Sequence, residues 1–127
     1  MLGIIVRTQF EGIHCYPDAP QAVKYLRNPH RHTFHVEAEI ETFHEDRELE
    51  FILVKHTIDN YFADTSNIGK DSCETIATRL QNFLKRYYPV PKEAIAIEMQ
   101  KIGHTPTRHI NIKVFEDNEN GAFIKQF

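Results

Sequence analysis

Only two cysteines, Cys15 and Cys73, occur in the 127 residues, and they do not form a C-x-x-C pair. That count excludes a disulfide framework and reads as two free thiols in a reducing cytoplasm. Long apolar runs are missing too. The longest near the start is Ile4-Ile5-Val6, too short for a secretory signal or a membrane span. There is no excess of basic charge. The net charge is -3, so the chain lacks the electrostatic footprint of a nucleic-acid binder. Internal repeats, linkers and low-complexity segments are absent as well. These absences predict one globular domain over residues 1–127, cytoplasmic, with neither membrane nor nucleic acid as partner. What the chain does have is histidine: eight in all, a high number for this length.

The histidines matter most where a strand pattern begins. His30, His32, Phe34, Val36, Ala38 and Ile40 share one parity; Arg31, Thr33, His35, Glu37, Glu39 and Glu41 share the other. Alternation with period two marks a strand with one buried face. Two imidazoles one residue apart then point the same way, and such a pair can grip one metal ion. A third from elsewhere would give a three-histidine site with an open position, the usual form of a catalytic zinc centre. Two hydrogen-bonded histidines at a strand end would give the same motif without any metal.

Residues 2–11 form a first predicted strand, with Ile4, Val6, Thr8 and Phe10 on one parity and His14 two residues past Gly12. Pro17, Asp18, Pro20, Asn28 and Pro29 make 15–29 largely loop. The second strand is predicted over 32–44. Antiparallel pairing of the two would lay His14 beside His30 and His32. A carboxylate-rich turn, 45–50, leads into a helix over 48–63 carrying Phe51, Val54, Ile58, Tyr61 and Phe62. A second helix is capped by Asp71 or Ser72 and buries Ile76, Leu80, Phe83, Leu84 and Tyr87. Pro89 and Pro91 end it. Two further strands, 94–102 and 109–115, would form a hairpin around 103–107, and Phe123-Ile124 would be a short final strand. The predicted class is α+β, order ββααββ, with an antiparallel sheet and two helices on one face.

Four segments, taken together, resemble the 6-pyruvoyl-tetrahydropterin synthase and 6-carboxy-tetrahydropterin synthase family. They are Phe10-Glu11-Gly12-Ile13-His14 (family Phe-x-x-x-His), His30-Arg31-His32-Thr33-Phe34 (His-Gly-His-Asn-Tyr), Asp71-Ser72-Cys73-Glu74-Thr75-Ile76-Ala77 (Pro-Thr-x-Glu-Asn-Leu-Ala) and Ile112-Lys113-Val114-Phe115-Glu116 (Val-x-Val-x-Glu). Their order and approximate spacing agree with the family, and they span most of the chain. The resemblance implies the tunnelling fold (T-fold), in which subunit sheets join into an oligomeric barrel, typically a homohexamer with active sites between subunits. It implies zinc on His14, His30 and His32. It implies Glu116 as the anchor of a pterin ring, a role for which Glu98 competes. A carboxylate can accept two hydrogen bonds from the amino-pyrimidine edge of a pterin or purine-like ligand.

The chain also departs from the family. Lys24, Tyr25 and Leu26 stand where a catalytic cysteine is expected, and Asp64-Thr65 stands where an Asp-His pair is expected. The catalytic candidates are then Lys24, a base only if burial or a nearby cation lowers its pKa, and Asp64. Asp46 and Glu48 are further substitutes. Cys15 should point away from the metal if its strand is regular, and Cys73 reads as a core thiol. The implied activity is that of a zinc-dependent lyase acting on 7,8-dihydroneopterin triphosphate or a related pterin, feeding tetrahydropterin or queuosine-type biosynthesis. The alternatives are a relative that binds such a ligand without turnover and an oligomer that uses zinc only as a staple.

Overall fold

The computed structural model describes residues 1–63 and 67–126. Two long strands dominate it: β1 (Leu2–His14) and β2 (His30–Thr42). They pair antiparallel along their full length, with Phe10 opposite Phe34, Gly12 opposite His32 and His14 opposite His30. The expected strands stopped at 11 and began at 32. Pairing carries both as far as the histidines, because the His14–His30 pair closes the ladder. A short 3-10 segment, Gln21–Arg27, bridges them in what the sequence reads as loop. Ala19 is buried at its start, and Arg27 Nε and Nη2 both donate to the Ala19 carbonyl.

The sheet among the described residues has five strands. A three-residue strand β3 (Asn67–Gly69) runs parallel to β1; β4 (Ile110–Glu116) pairs antiparallel with β2, and β5 (Gly121–Ile124) with β4. The order β3-β1-β2-β4-β5 makes the sheet mixed rather than wholly antiparallel, and β3 breaks the expected ββααββ sequence of elements. β3 escapes the sequence reading because three residues are too few to show a period.

Among the described residues three α-helices accompany the sheet: α1 (Phe51–Ala63), α2 (Cys73–Tyr87) and α3 (Lys92–Ile102). α1 begins three residues later than expected. Glu50 stands at its start: the Glu50 carboxylate accepts from the Ile52 amide and its carbonyl from the Val54 amide. Ser72, not Asp71, caps α2, its hydroxyl accepting from the Thr75 amide at 3.1 Å. Asp71 is drawn off by Arg79, 2.6 Å away. α1 and α2 bury Val54, Ile58 and Phe62, and Ile76, Leu80 and Leu84, against the sheet face that carries Val6, Phe34, Val36, Ala38, Ile40, Ile110, Ile112 and Val114. Phe51 and Tyr87, expected in those stripes, are exposed, since each lies at the open end of its helix. No described helix is long and apolar enough to cross a membrane.

The expected strand over 94–102 is the helix α3. Ala94-Ile95-Ala96-Ile97 alternates in bulk, but Pro91 precedes the first turn and Gly103 closes the last in the left-handed conformation, φ 76°. Both are helix punctuation. The half-buried positions 91, 94, 95 and 98 follow helical spacing. With 94–102 helical there is no hairpin around 103–107, and β4 takes β2 and β5 as its neighbours instead.

Candidate metal centre and its cavity

The site lies where β1 ends and β2 begins. In an antiparallel pair, directly opposed residues share a face, so His14 and His30 project together and His32 follows over Gly12. Their ring centroids are 4.5 to 5.3 Å apart. Beneath them Phe34, fully buried, meets His14 and His32 edge-on, and stacks on Phe10, which in turn stacks on Phe62 of α1. Gly12 is part of that floor. A β-carbon there would meet the Phe10 and Phe34 rings at 3.1 Å.

Each imidazole has one nitrogen already engaged. His14 Nδ1 lies 2.8 Å from the Asp71 carbonyl, His30 Nδ1 2.8 Å from the Asn28 carbonyl, and His32 Nδ1 2.7 Å from Asp117 Oδ2. A carbonyl or an ionised carboxylate only accepts, so each Nδ1 donates, and in the neutral ring Nε2 is the nitrogen left to bind an ion. Hydrogen bonds from His32 and from the Thr33 amide hold the Asp117 carboxyl below the usual carboxylate range, which keeps it an acceptor. The three rings offer ligand atoms that lie within 4.8 Å of one another. His14 Nε2 and His32 Nε2 are buried without any hydrogen-bond partner. Buried, unpaired acceptors that converge are what a cation requires and what a merely hydrogen-bonded histidine cluster avoids. The residues therefore fit a metal ion, and three neutral imidazoles suit zinc among other transition metals.

Two turns supply the supporting groups. β3 joins β1 through a register shift at Ile13/His14, and the Cys15 amide donates to the Gly69 carbonyl. The chain then turns into α2, which places the Asp71 carbonyl on His14. The other turn follows β4. Asp117 and Asn118 take the left-handed conformation, φ 50° and 57°, which short polar side chains tolerate. This turn points Glu116 and Asp117 at the two nitrogens of His32.

A cavity of about 510 Å³ opens beside the cluster, bordered by His14, His30, Cys15, Cys73, Glu116 and Gly121 among others. That size suits a small-molecule ligand. Cys15 faces this cavity despite its parity, because β1 has ended and the register has shifted before it. Cys73, the first residue of α2, also faces it. Burial, the nearby Glu116 carboxylate and Glu74 push the Cys73 thiol up to about 12.

Of the residues singled out in the sequence, His14, His30, His32 and Glu116 come together here. Lys24 is exposed on the 3-10 segment and does not border the cavity. Asp64 lies outside the described residues. Glu48 is at the far end of β2, bound by Arg108, and Asp46 is an exposed neighbour of His44. Glu98 sits on α3, 3.5 Å from Lys101, and faces a different cavity. Asp117 and the carbonyls of Asn28 and Asp71 escape the sequence reading. Asn28 and Asp117 read as turn residues and Asp71 as a helix cap; only the pairing of β4 with β2 brings residue 117 to residue 32. No known protein-family model matches the chain, and no curated protein matches it.

Proposed function

We propose that this is a zinc-dependent, pterin-binding protein of the 6-carboxy-/6-pyruvoyl-tetrahydropterin synthase type, built as a tunnelling-fold homo-oligomer, a hexamer in the form the resemblance implies. The observation that carries the reading is the set of three imidazoles with every Nδ1 engaged and the Nε2 atoms converging beside a ligand-sized cavity. Zinc, when bound, supplies Lewis acidity to a hydroxyl or carbonyl on the ligand's side chain. The chain's own residues do the rest. Asp117 and the Asn28 and Asp71 carbonyls fix the imidazoles. Glu116, at the end of β4, presents its carboxylate to the amino-pyrimidine edge of a pterin or purine-like ring, and Glu98 is too far removed to compete.

Turnover needs a base to move protons before triphosphate or a two-carbon aldehyde can leave. Asp64 is the group proposed for this step. Lys24, exposed on its own chain, would serve only across a subunit boundary. Cys73 borders the cavity, but a thiol pushed up to about 12 keeps its proton at neutral pH. This last observation favours a second reading, in which the ring compound binds without being converted.

One experiment separates the two. Zinc-loaded protein is incubated with 7,8-dihydroneopterin triphosphate and followed by mass spectrometry, while its melting temperature is read with and without that compound. Product formation supports the enzyme. Stabilisation without product supports the binder. If neither the triphosphate nor any pterin or guanine compound changes the melting temperature or is consumed, the pterin reading is wrong.

A further inference from the structure

We propose that Glu116 is the fourth protein ligand of the metal in the ligand-free protein, closing the coordination position that three histidines alone would leave open. This rests on reading His14, His30 and His32 as a metal site and goes beyond it. Glu116 Oε1 is 3.4 Å from His14 Nε2, and Oε2 is 3.5 Å from His32 Nε2. Neither contact is a hydrogen bond; both nitrogens are without a hydrogen-bond partner. A proton on Nε2 would draw the carboxylate in to about 2.7–2.9 Å. The longer separations seen here leave room for a metal ion between a neutral ring and the carboxylate. The spacing to His14 and His32 fits a shared ion, while Glu116 lies outside the 4.8 Å set that the three imidazoles make and closes toward His30 when the ion binds. Bonds of about 2.0–2.1 Å in a tetrahedral zinc site put neighbouring ligand atoms about 3.3–3.4 Å apart.

The His14 side chain is 9 % exposed and aims its orphaned nitrogen into this gap. The Glu116 side chain is 34 % exposed and lies at the cavity wall. The carboxylate therefore closes the site from the side on which a ligand enters. A ligand oxygen can take its place, which frees Glu116 to accept from the ring. The Cys73 thiol donates to the same Glu116 Oε1, at 3.9 Å.

The test uses Co2+, whose visible spectrum reports coordination, and azide as a competing small anion. Wild-type protein is expected to bind one Co2+ per chain with a four-coordinate spectrum that resists millimolar azide. Glu116→Gln keeps the shape and removes the charge. It is expected to bind Co2+ at least about tenfold more weakly and to change spectrum on adding azide. Asp117→Asn is the comparison: it weakens affinity but leaves the spectrum azide-resistant, because Asp117 touches a ligand and not the ion. Circular dichroism establishes that each variant is folded. If Glu116→Gln matches wild type in affinity, spectrum and azide response, Glu116 is not a ligand, while one Co2+ per chain still upholds the three-histidine site. If wild type takes up no Co2+ or Zn2+ at all, both readings fall together.

Discussion

His32 shows how much chemistry one side chain inherits from its neighbours. Its Nδ1 is tied to Asp117 at 2.7 Å, and the same carboxylate accepts the Thr33 amide at 3.0 Å. The ring can neither flip nor change tautomer without losing its bond to Asp117. Groups that orient a metal-binding imidazole in this way typically govern affinity by 10–100-fold. On the proposed zinc site, Asp117→Asn is therefore expected to weaken the metal by roughly that factor in a competition titration against a chromophoric chelator, with little change in melting temperature of the metal-free protein. An unchanged affinity would mean that packing on Phe34 alone holds the ring.

The two thiols make a second test at this scale. Cys15 is partly exposed at the cavity mouth; Cys73 is buried, and its thiol is pushed up to about 12 by burial and by the Glu116 charge. Thiolate, not thiol, reacts with disulfide reagents. At pH 7.5 the native protein should yield one fast thiol and the unfolded protein two, and Cys15→Ser should abolish the fast phase. A fast phase that survives in Cys15→Ser would show Cys73 ionised and accessible, contrary to its surroundings.

At the scale of elements, β1 and β2 are legible because both their faces differ. Buried Phe34, Val36, Ala38 and Ile40 alternate with half-exposed His35, Glu37, Glu39 and Glu41, so the pattern fixes the register and with it the histidines. α2 is equally plain: its stripe is wide, its cap is a serine, and Pro89 and Pro91 follow. α3 is not, because none of its residues is fully buried and its small-large alternation imitates a strand. A helix with little contact to the core carries a weak periodic signal; here Pro91 and Gly103 hold more information than the apolar positions between them.

Gly12 tests the strand pair directly. Its missing side chain lets Phe10 and Phe34 stack at 5.1 Å beneath the imidazoles. Gly12→Ala places a methyl group 3.1 Å from both rings. Such overpacking usually costs about 1–3 kcal/mol. The lower end is expected, because alanine also suits a strand better than glycine does. Urea denaturation measures the loss, and Phe10→Leu in the same chain should recover part of it. Additive losses in the double variant would place the strain somewhere other than the rings.

At the scale of the whole molecule, the end of the sheet remote from the histidines is organised by Arg108, which no sequence pattern marks. It is 3 % exposed and uses all its N–H groups. Nε donates to the Tyr88 carbonyl, Nη1 to the Glu41 carbonyl and Glu48 Oε1, and Nη2 to the Pro89 carbonyl and Glu48 Oε2, while the guanidinium lies over the Phe43 ring. One side chain thus ties β2, the turn before α1 and the connection between α2 and α3. Burial works to raise the Glu48 carboxyl, but the hydrogen bonds from Arg108 and the Phe43 amide, with the guanidinium charge, outweigh it and hold Glu48 below its ordinary value of 4.5. A carboxyl depressed in the folded state contributes stability above its unfolded pKa and loses it as the pH falls through the folded one. Glu37, held low by Arg7 and Lys113 against the effect of burial, acts with the same sign. Unfolding free energy should thus be level from neutral pH to about 5 and fall below about 4.5. Glu48→Gln leaves a buried guanidinium without its counter-charge, a change that typically costs about 3–5 kcal/mol. It should also make the acid limb shallower, because one of the depressed carboxyls is gone while Glu37 and Asp117 remain. Urea titrations of both proteins across pH 3 to 7 measure the two effects separately. A variant that loses stability at pH 7 yet keeps the full acid limb would assign that limb to other carboxylates and leave Arg108 a packing role alone.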